Sequence, residues 1–296
     1  MKILLIGKNG QVGWELQRSL MPLGEVIALA RDECDLSLPE TLPAIIQNIK
    51  PDIIVNAAAY TAVDKAEEEE KLAYTINSIS VGILAEEAKK LDALLIHYST
   101  DYVFDGTGEG PYTEEDETNP INVYGQSKLA GEKLIQQEGI DYIIFRTSWV
   151  FASRGSNFAK TMLRLAAERD ELKVVSDQSG APTSAELIAD ITALVLQQLV
   201  ANPDLIRKKS GVYHLVASGK TSWYGYAQYV LKTAIDLGRS LKVSSDQVVP
   251  VITADFSMPA NRPMNSCLDT KKLCLAFCVT LPDWSYYVER TLHEIL

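Results

Sequence analysis

The chain has 296 residues, of which 47% are hydrophobic and 23% charged, and its formal net charge is −11. This composition is that of a globular protein with a sizeable core, and the length suits one large domain or two modest ones. The acidic balance disfavours nucleic-acid binding, which needs a basic face, although a helix N-terminus can still hold an anionic ligand. We therefore expect no nucleic-acid partner.

Short apolar runs alternate with helical patterns over the first 150 residues. The runs predict strands and read KILLIG (2–7), EVIAL (25–29), DIIVNAAA (52–59), ALLIHYST (93–100) and YIIFRTS (142–148). Between them lie four predicted helices, VGWELQRSL, TLPAIIQNIK, KLAYTINSISVGILAEEAKKL and GQSKLAGEKLIQQ. Strands that alternate with helices predict an α/β fold, a Rossmann-like, doubly wound parallel sheet covered on both faces.

The pattern is less regular after residue 150. Helices are predicted at SNFAKTMLRLAAERDE, AELIADITALVLQQL, WYGYAQYVLKTAIDLG and WSYYVERTLHEIL, with short strands at KVV and GVYHLV. The segment VVPVITADFSMPANRPMNSCLDT is predicted to be rich in loops. We predict a dinucleotide-binding domain of residues 1–150 with part of 183–215. A smaller, interleaved α/β domain of residues 151–182 and 216–296 is predicted to bind the substrate.

Targeting and redox signals favour a cytoplasmic protein. The first apolar run is too short for a signal peptide, and no run approaches the length of a membrane span, so no membrane partner is expected. The cysteines have the spacing of neither a zinc site nor a disulfide framework and are predicted to be free thiols. They are Cys34, Cys267, Cys274 and Cys278.

The segment GKNGQVG places Gly7, Gly10 and Gly13 directly after the first predicted strand and at the start of the first helix. The spacing differs from the common G-x-G-x-x-G fingerprint, but the physical role is the same. Glycines permit a tight turn and allow backbone N–H groups to approach a pyrophosphate at the helix N-terminus. The segment predicts a dinucleotide site.

The end of the second strand bears on the choice of cofactor. A carboxylate at this position binds the ribose 2′-hydroxyl of NAD, whereas a nearby arginine accommodates the 2′-phosphate of NADP. Here Ala30 stands at the carboxylate position and Arg31 follows. This favours NADPH, with use of NADH left open. The alternative is that Arg31 faces solvent and that Asp32 or Glu33 takes the hydroxyl.

Tyr124 and Lys128 lie four residues apart at the start of a predicted helix and therefore share one face. A cation at this distance is expected to lower the pKa of the phenol by stabilising the phenolate. The pair is weak evidence by itself. However, Thr100 stands near the carboxyl end of the fourth predicted strand, where ligands bind in open α/β sheets. Hydroxyl, phenol and ammonium groups around a nicotinamide predict a carbonyl reductase site.

On these residues the chain resembles the extended short-chain dehydrogenase/reductases and, more narrowly, the dTDP-4-dehydrorhamnose reductase family. The Tyr124 and Lys128 pair marks only the superfamily, whereas STDYVFDG, RTSWV and DQSGAPT are more specific. The resemblance implies that NADPH delivers hydride to C4 of dTDP-4-dehydro-6-deoxy-L-mannose while Tyr124 donates a proton to the C4 oxygen. Thr100 would polarise that oxygen, and Lys128 would hold the nicotinamide ribose. The product, dTDP-L-rhamnose, would feed synthesis of cell-surface polysaccharide.

The resemblance also assigns further positions. Those expected to contact the cofactor, beside the glycines, are Gln11, Val12, Asp35, Leu36, Ala59, Tyr60, Thr61 and Tyr98. Thr100, Asp101 and Trp149 match sugar-nucleotide positions, and Arg262 is expected to meet the diphosphate; Trp149 as a plain core residue is the alternative. Some relatives dimerise through Mg²⁺ held by glutamates. Glu15, Glu186 and Glu294 occupy the matching positions, although each also suits an ordinary helix surface.

Two other functions stay open. The first is another sugar-nucleotide enzyme, an epimerase or epimerase-reductase, which would need a further acid or base such as Cys34 or His97. The second is a regulatory subunit that binds NADP without catalysis. A 4,6-dehydratase is disfavoured, because these relatives have an acidic residue where Tyr102 follows Asp101.

Overall fold

The structure is a computed structural model, which describes residues 1–255 and 258–296. Its strands are β1 (Lys2–Ile6), β2 (Glu25–Leu29), β3 (Ile53–Asn56), β4 (Leu94–Thr100), β5 (Tyr142–Thr147), β6 (Val150–Phe151), β7 (Leu172–Val175), β8 (Ser179–Gly180), β9 (Thr183–Ser184), β10 (Gly211–His214), β11 (Thr221–Ser222) and β12 (Val248–Val251). Its α-helices are α1 (Gln11–Leu20), α2 (Leu42–Ile49), α3 (Val63–Ala66), α4 (Glu70–Tyr74), α5 (Ser80–Leu91), α6 (Val123–Glu138), α7 (Phe158–Glu168), α8 (Ala185–Ala201), α9 (Asp204–Lys209), α10 (Trp223–Asp236), α11 (Lys271–Phe277) and α12 (Trp284–Ile295).

The main sheet has six strands in the order β10-β5-β4-β3-β1-β2, and every neighbouring pair is parallel. From β1 the chain crosses to β2 on one side and then to β3, β4 and β5 on the other. The strand order therefore reverses between β1 and β3. This confirms the predicted doubly wound, Rossmann-like fold. In such sheets ligands bind at the carboxyl ends of the strands, at the point of reversal.

Both faces of the sheet are covered by helices. Ile3 and Leu5 pack into one apolar cluster with α1 and α8, whereas Leu4 and Ile6 pack into a second cluster with α2 and α5. Successive side chains of a strand point to opposite faces, so an unbroken apolar run fills both clusters. This is why the strands of the first half are continuous Ile, Leu and Val runs instead of alternating patterns.

A third apolar cluster lies apart from the main sheet. Phe151, Met162, Tyr226 and Leu292 are among its buried side chains, which come largely from α7, α10 and α12. The parallel pair β7 and β12 packs against these helices. Strand β12 falls in the segment predicted to be loop-rich, so that prediction was wrong for Val248–Val251. The same prediction at Phe256 and Ser257 lies outside the described residues.

The helix predicted over residues 71–91 is not continuous. A π-helical turn, Thr75–Ile79, separates α4 from α5. It carries Asn77, whose side chain accepts from the Tyr60 N–H at 2.9 Å and donates to the Tyr60 carbonyl at 3.0 Å. The same amide nitrogen lies 3.1 Å from Ser127 Oγ on α6. The turn thus ties the loop after β3 to α6, beside the edge where ligands bind.

The four cysteines are free thiols, as predicted. Within the described ranges, none of the helices has both the length and the apolar character that a membrane span requires.

The glycine loop is compact because its glycines touch backbone. Gly7 has a φ of +92°, and a Cβ there would lie 2.8 Å from the Ala58 nitrogen. A Cβ on Gly13 would lie 2.1 Å from the Gly7 carbonyl oxygen, whereas one on Gly10 would meet the same oxygen at 3.4 Å.

Gly13→Ala should lower the free energy of unfolding by about 1–3 kcal/mol, because α1 must move away from the loop. Urea denaturation would measure the loss, with Gly10→Ala as the matched control that is expected to change stability less. Equal stabilities of the two variants would contradict this close packing.

Candidate active site

A cavity of about 620 Å³ opens at the carboxyl edge of the main sheet. Its floor is the reversal between β1 and β3, and the ends of β4 and β5 and the start of α6 form its far wall. The predicted site residues that line it are Gly7, Gly10, Gln11, Val12, Arg31, Asp35, Leu36, Ala59, Thr61, Tyr98, Thr100, Asp101, Tyr124, Lys128, Trp149 and Arg262.

Two predicted cofactor residues do not line this cavity. Gly13 lies beneath the loop, where it packs on Gly7, and the Tyr60 phenol donates to Glu69 Oε2 at 2.6 Å. Lining residues that sequence reasoning missed include Asn9, Ser148 and Trp223, and Cys34, considered from the sequence only as an acid or base of an epimerase, also lines the cavity. Asn9 and Ser148 lie inside the GKNGQVG and RTSWV motifs, which mark the segments without singling out these residues, whereas Trp223 begins α10 and belongs to no motif.

Tyr124 owes its position to the way α6 begins. Asn122 caps the helix by accepting from the Gly125 N–H at 2.8 Å, and its amide donates to the Asn261 carbonyl at 2.7 Å. A Cβ on Gly125 would lie 2.1 Å from the Tyr102 carbonyl oxygen, so only glycine allows α6 this close to the chain after β4. The second residue of α6, Tyr124, is thereby brought beside Thr100 at the end of β4.

Lys128, one turn further along α6, is buried against β4. Its Nζ donates to the Tyr98 carbonyl at 2.6 Å and lies 3.1 Å from His97 Nε2. Burial lowers the pKa of Lys128 to about 8, and the charge of Glu132 opposes this shift. Lys128 is therefore held by the strand, with its charged form only moderately favoured at neutral pH.

The pKa of Tyr124 differs from the sequence-based expectation. Burial raises it above its ordinary value, while the neighbouring Thr100 hydroxyl opposes the shift and the charge of Asp101 adds to it. A lowered pKa was expected from Lys128, but that nitrogen is engaged by the backbone and His97 of β4. Tyr124 accordingly keeps its proton at neutral pH, which suits a proton donor.

Asp101 is a second buried acid beside the phenol. The Thr100 hydroxyl donates to Asp101 Oδ1 at 3.0 Å and accepts from the Tyr102 N–H at 3.1 Å. Burial raises the pKa of Asp101 to about 7. When Asp101 is protonated it can donate to Thr100, and the Thr100 proton is then available to polarise a substrate oxygen.

An aromatic pair forms the cavity wall next to β5. Trp149 stacks on Trp223 of α10 with ring centroids 3.7 Å apart and an interplanar angle of 16°. Trp149 has a φ of +48° without ending a helix, and such strain is typical of functional sites. A Cβ on Gly180 would lie 2.7 Å from the Trp149 ring, which explains the glycine of DQSGAPT. Trp149 therefore lines the cavity while it also packs against the third apolar cluster.

Two arginines reach the cavity from opposite sides. Arg262 is fixed by Asp64, with 2.8 Å between Nη2 and Oδ2. Arg31, at the other end, has a side chain that is 74% exposed and that lies 3.2 Å from Asp35 Oδ2. The Glu33 carboxylate pairs with Lys8 Nζ at 2.5 Å and accepts a hydrogen bond from the Ala30 N–H at 2.8 Å.

The three glutamates of the predicted magnesium site lie outside the cavity. Arg290 pairs with Glu186 at 3.0 Å and with Glu294 at 3.5 Å. Burial, followed by the charge of Glu186, raises the pKa of Glu15. The residues thus lie close together, and carboxylates suit Mg²⁺. However, in the part of the chain that the structure describes, no group of three or more His, Cys, Asp or Glu side chains is arranged to hold a metal.

The family described as RmlD substrate binding domain matches residues 1–296. The chain belongs to this family. It is 52% identical to the dTDP-4-dehydrorhamnose reductase of Escherichia coli (strain K12), over 100% of this chain and 98% of that protein. It is 49% identical to the enzyme of the same name from Burkholderia thailandensis, over 100% of this chain and 99% of the relative.

Solved structures give the same family. The chain resembles a dTDP-4-dehydrorhamnose reductase from Clostridium acetobutylicum with a TM-score of 0.88 and 36% identity, over 100% of this chain and 99% of the other. The enzyme from Bacillus anthracis in complex with NADP has a TM-score of 0.87 and 35% identity, over 99% of each chain. A UDP-glucose 4-epimerase from Thermus thermophilus, at 16% identity and a TM-score of 0.78, shares the fold.

The buried Asp101 predicts an unusual pH dependence of stability. Asp101 keeps its proton in the folded chain up to about pH 7, whereas an unfolded aspartate loses it near about 3.9. The folded chain binds more protons between these values, so Asp101 makes the free energy of unfolding fall as pH rises. In Asp101→Asn this contribution is absent.

The stability of Asp101→Asn relative to the wild type should therefore rise by about 2 kcal/mol between about pH 5 and about pH 8. Denaturant titrations at both pH values would measure it. The control is Asp105→Asn, because hydrogen bonds from Thr107 lower the pKa of Asp105 to about 2 and leave it ionised at both values. A pH-independent difference for Asp101→Asn would contradict a buried, titrating Asp101.

Proposed function

We propose that this chain reduces the C4 keto group of dTDP-4-dehydro-6-deoxy-L-mannose to dTDP-L-rhamnose with NADPH as reductant. The observation that carries the proposal is the buried, protonated phenol of Tyr124 beside Thr100, with Lys128 one turn along the same helix. These groups share one cavity with a glycine loop. The names of the relatives at about half sequence identity supply the substrate.

The dinucleotide suits the part of the cavity nearest β1. The N–H groups in the first turn of α1, at Gln11 and Val12, would hold its pyrophosphate, because those of Gly7 and Gly10 already donate to backbone carbonyls. Ala59 and Thr61 on the loop after β3, together with Tyr98, would line the path towards the nicotinamide. When bound, NADPH supplies the hydride that C4 receives.

The proton follows from the chain's own residues. Tyr124 donates its phenolic proton to the developing C4 oxyanion, and Thr100 polarises that oxygen through its hydroxyl. The protonated form of Lys128 would hold the nicotinamide ribose by donating to it, the role that the resemblance implies. Because this form is lost as pH rises through the Lys128 pKa, catalysis should weaken on the alkaline side.

The opposite end of the cavity suits the sugar nucleotide. Trp149 and Trp223 offer an apolar surface for a deoxysugar, and Asp101 accepts hydrogen bonds. The Arg262 guanidinium, held in place by Asp64, would pair with the diphosphate. We assign substrate binding to residues 151–182 and 216–296, which supply Trp223 and Arg262, and the dinucleotide to residues 1–150 with part of 183–215. Asp101 and Trp149 reach the sugar half from the end of the dinucleotide domain.

The end of β2 supports a preference for NADPH over NADH. Ala30 cannot bind a ribose hydroxyl through its side chain, and the Glu33 carboxylate already accepts from Lys8 and the Ala30 N–H. Asp35 accepts from Ser37 and pairs with Arg31, which reaches the cavity. A 2′-phosphate bound at this end of the cavity would therefore meet the Arg31 guanidinium and no carboxylate that is free to bind a ribose hydroxyl. The relative solved with NADP supports the same choice.

Three finer assignments stay predictions, the first from targeting and redox signals in the sequence and the other two from the resemblance. They are a cytoplasmic location, homodimerisation and Mg²⁺ bound by Glu15, Glu186 and Glu294. The pairing of Arg290 with two of these glutamates must be broken before they can bind a cation.

The alternative functions gain little support. An epimerase would need a base near the sugar, but burial raises the pKa of the Cys34 thiol to about 11. His97 is buried behind Lys128 and contacts Asn56 on its other side. A regulatory protein without catalysis would have no need of the complete set of Thr100, Tyr124 and Lys128.

The direct test mixes the purified chain with dTDP-4-dehydro-6-deoxy-L-mannose and NADPH and follows the absorbance of the reduced nicotinamide. Tyr124→Phe should reduce turnover by about 10²–10⁴-fold, since it removes the proton donor. Its affinity for NADPH, measured by fluorescence titration, should not change. Tyr286→Phe, at an exposed tyrosine of α12, is the control. Wild-type turnover in Tyr124→Phe would exclude the assigned role of Tyr124, and no oxidation of NADPH or NADH by the wild type would exclude the function.

Arg31→Ala should lower the ratio of kcat/KM for NADPH to that for NADH by roughly 10-fold, the value of a charge-assisted contact at an exposed site. Arg164→Ala is the matched control, because Arg164 is also an exposed arginine paired with an acid four residues on. An unaltered ratio in Arg31→Ala would show that another group reads the 2′-phosphate.

A further inference from the structure

A row of buried polar side chains lies behind Lys128, on the side away from Tyr124. It runs from Asn56 on β3 through His97 on β4 to Lys128 on α6, with exposures of 0%, 1% and 1%. Asn56 Nδ2 lies 3.2 Å from His97 Nδ1, and His97 Nε2 lies 3.1 Å from Lys128 Nζ. No step of the mechanism above uses Asn56 or His97.

The backbone fixes the orientation of the Asn56 amide. The Ala58 N–H donates to Asn56 Oδ1 at 3.1 Å. A backbone N–H is a donor only, so the atom that faces it must be the amide oxygen. The amide NH₂ group must then face His97, and it too can only donate. His97 Nδ1 is therefore the acceptor of this hydrogen bond.

The state of His97 follows. Burial, and then the charge of Lys128, hold the pKa of His97 well below its usual value, so the ring is neutral. A neutral imidazole with an accepting Nδ1 carries its proton on Nε2. That N–H points at Lys128 Nζ, which already donates to the Tyr98 carbonyl. An ammonium group has no lone pair with which to accept, whereas a neutral amine has one.

We propose that Asn56 and His97 are positioning residues that favour the neutral amine of Lys128 by directing the Nε2 proton of His97 at it. The inference deepens the proposed reductase function and rests on it for its catalytic consequence. Asn56 and His97 touch neither substrate nor cofactor in this scheme; they act through Lys128. Protonation of Lys128 then requires the Asn56–His97 pair to rearrange.

Other groups around Lys128 do not replace this pair. Glu132, on the same helix, favours the ammonium form, but its carboxylate is bound by Arg146 of β5 through contacts of 3.0 Å and 2.7 Å. Tyr124, on the remaining side, is neutral at physiological pH because burial raises its pKa. Burial lowers the pKa of Lys128 independently of this pair, and the orientation of Asn56 and His97 is expected to add to that shift.

The first test reads the tautomer of His97 without cofactor or substrate. The chain has only three histidines, so ¹⁵N-histidine labelling gives a simple two-bond proton–nitrogen spectrum, and His97→Gln identifies the signals of His97. The expected result is a protonated Nε2 and an unprotonated Nδ1 at neutral pH. A proton on Nδ1, or on both nitrogens, would overturn the proposal.

The second test inverts the donor pattern. In Asn56→Asp, a carboxylate oxygen accepts from His97 Nδ1, so the proton moves to Nδ1 and Nε2 becomes an acceptor for an ammonium group. The Lys128 pKa, read from ¹³C-lysine titration of the cofactor-free protein, should rise by about one unit or more. The alkaline limb of kcat/KM should move up with it. An unmoved Lys128 pKa together with an inverted tautomer would overturn the proposal.

The control is His214→Gln, which alters the other fully buried histidine and should leave the His97 tautomer and the Lys128 pKa as in the wild type. If Asn56→Asp does not fold, the His97 tautomer measured in the wild type is the test of the proposal. The reductase function and the role of Asn56 and His97 can be rejected independently of each other. Absence of NADPH oxidation by the wild type would reject the reductase function with the His97 spectrum unaffected, whereas a Nδ1 proton in an active enzyme would reject only the role of Asn56 and His97.

Discussion

The contact between Lys128 Nζ and the Tyr98 carbonyl, at 2.6 Å, is the interaction on which the site depends. It fastens α6 to β4, the strand that ends at Thr100. Tyr124 lies one turn before Lys128 on the same helical face, so the contact also fixes where the phenol points. The predicted catalytic residues thus lie in one rigid frame, in which the buried Lys128–Tyr98 contact joins the end of β4 to the start of α6.

Burial in that frame shifts the pKa values of several groups that the proposed reaction uses. The pKa of Tyr124 rises, which keeps the donor proton in place. The pKa values of Lys128 and Asp101 both move close to neutrality, to about 8 and about 7, although one group is a base and the other an acid. Desolvation disfavours the charged form of each, so one physical cause produces all three shifts.

The features that could be predicted from the sequence are those encoded by a local pattern of residues. The strands of the sheet, helix α6 and the glycine loop follow from periodicity and spacing, and the Tyr124–Lys128 pair follows from the helical repeat. Sequence reasoning did not find Trp223, which joins the cavity only because α10 packs beneath the chain after β5. The direction of the Tyr124 shift was missed for a similar reason. Spacing places Lys128 near the phenol but cannot show that the nitrogen is bound to β4 and His97.

Transfer of hydride to C4 and proton donation to its oxygen form the central claim. The most direct measurement uses NADPH that carries deuterium on the transferring face and determines by NMR where the label resides in the sugar nucleotide. The account predicts dTDP-L-rhamnose with deuterium at C4 alone. A reduced sugar with label at another carbon, or recovery of unreduced substrate, would contradict it.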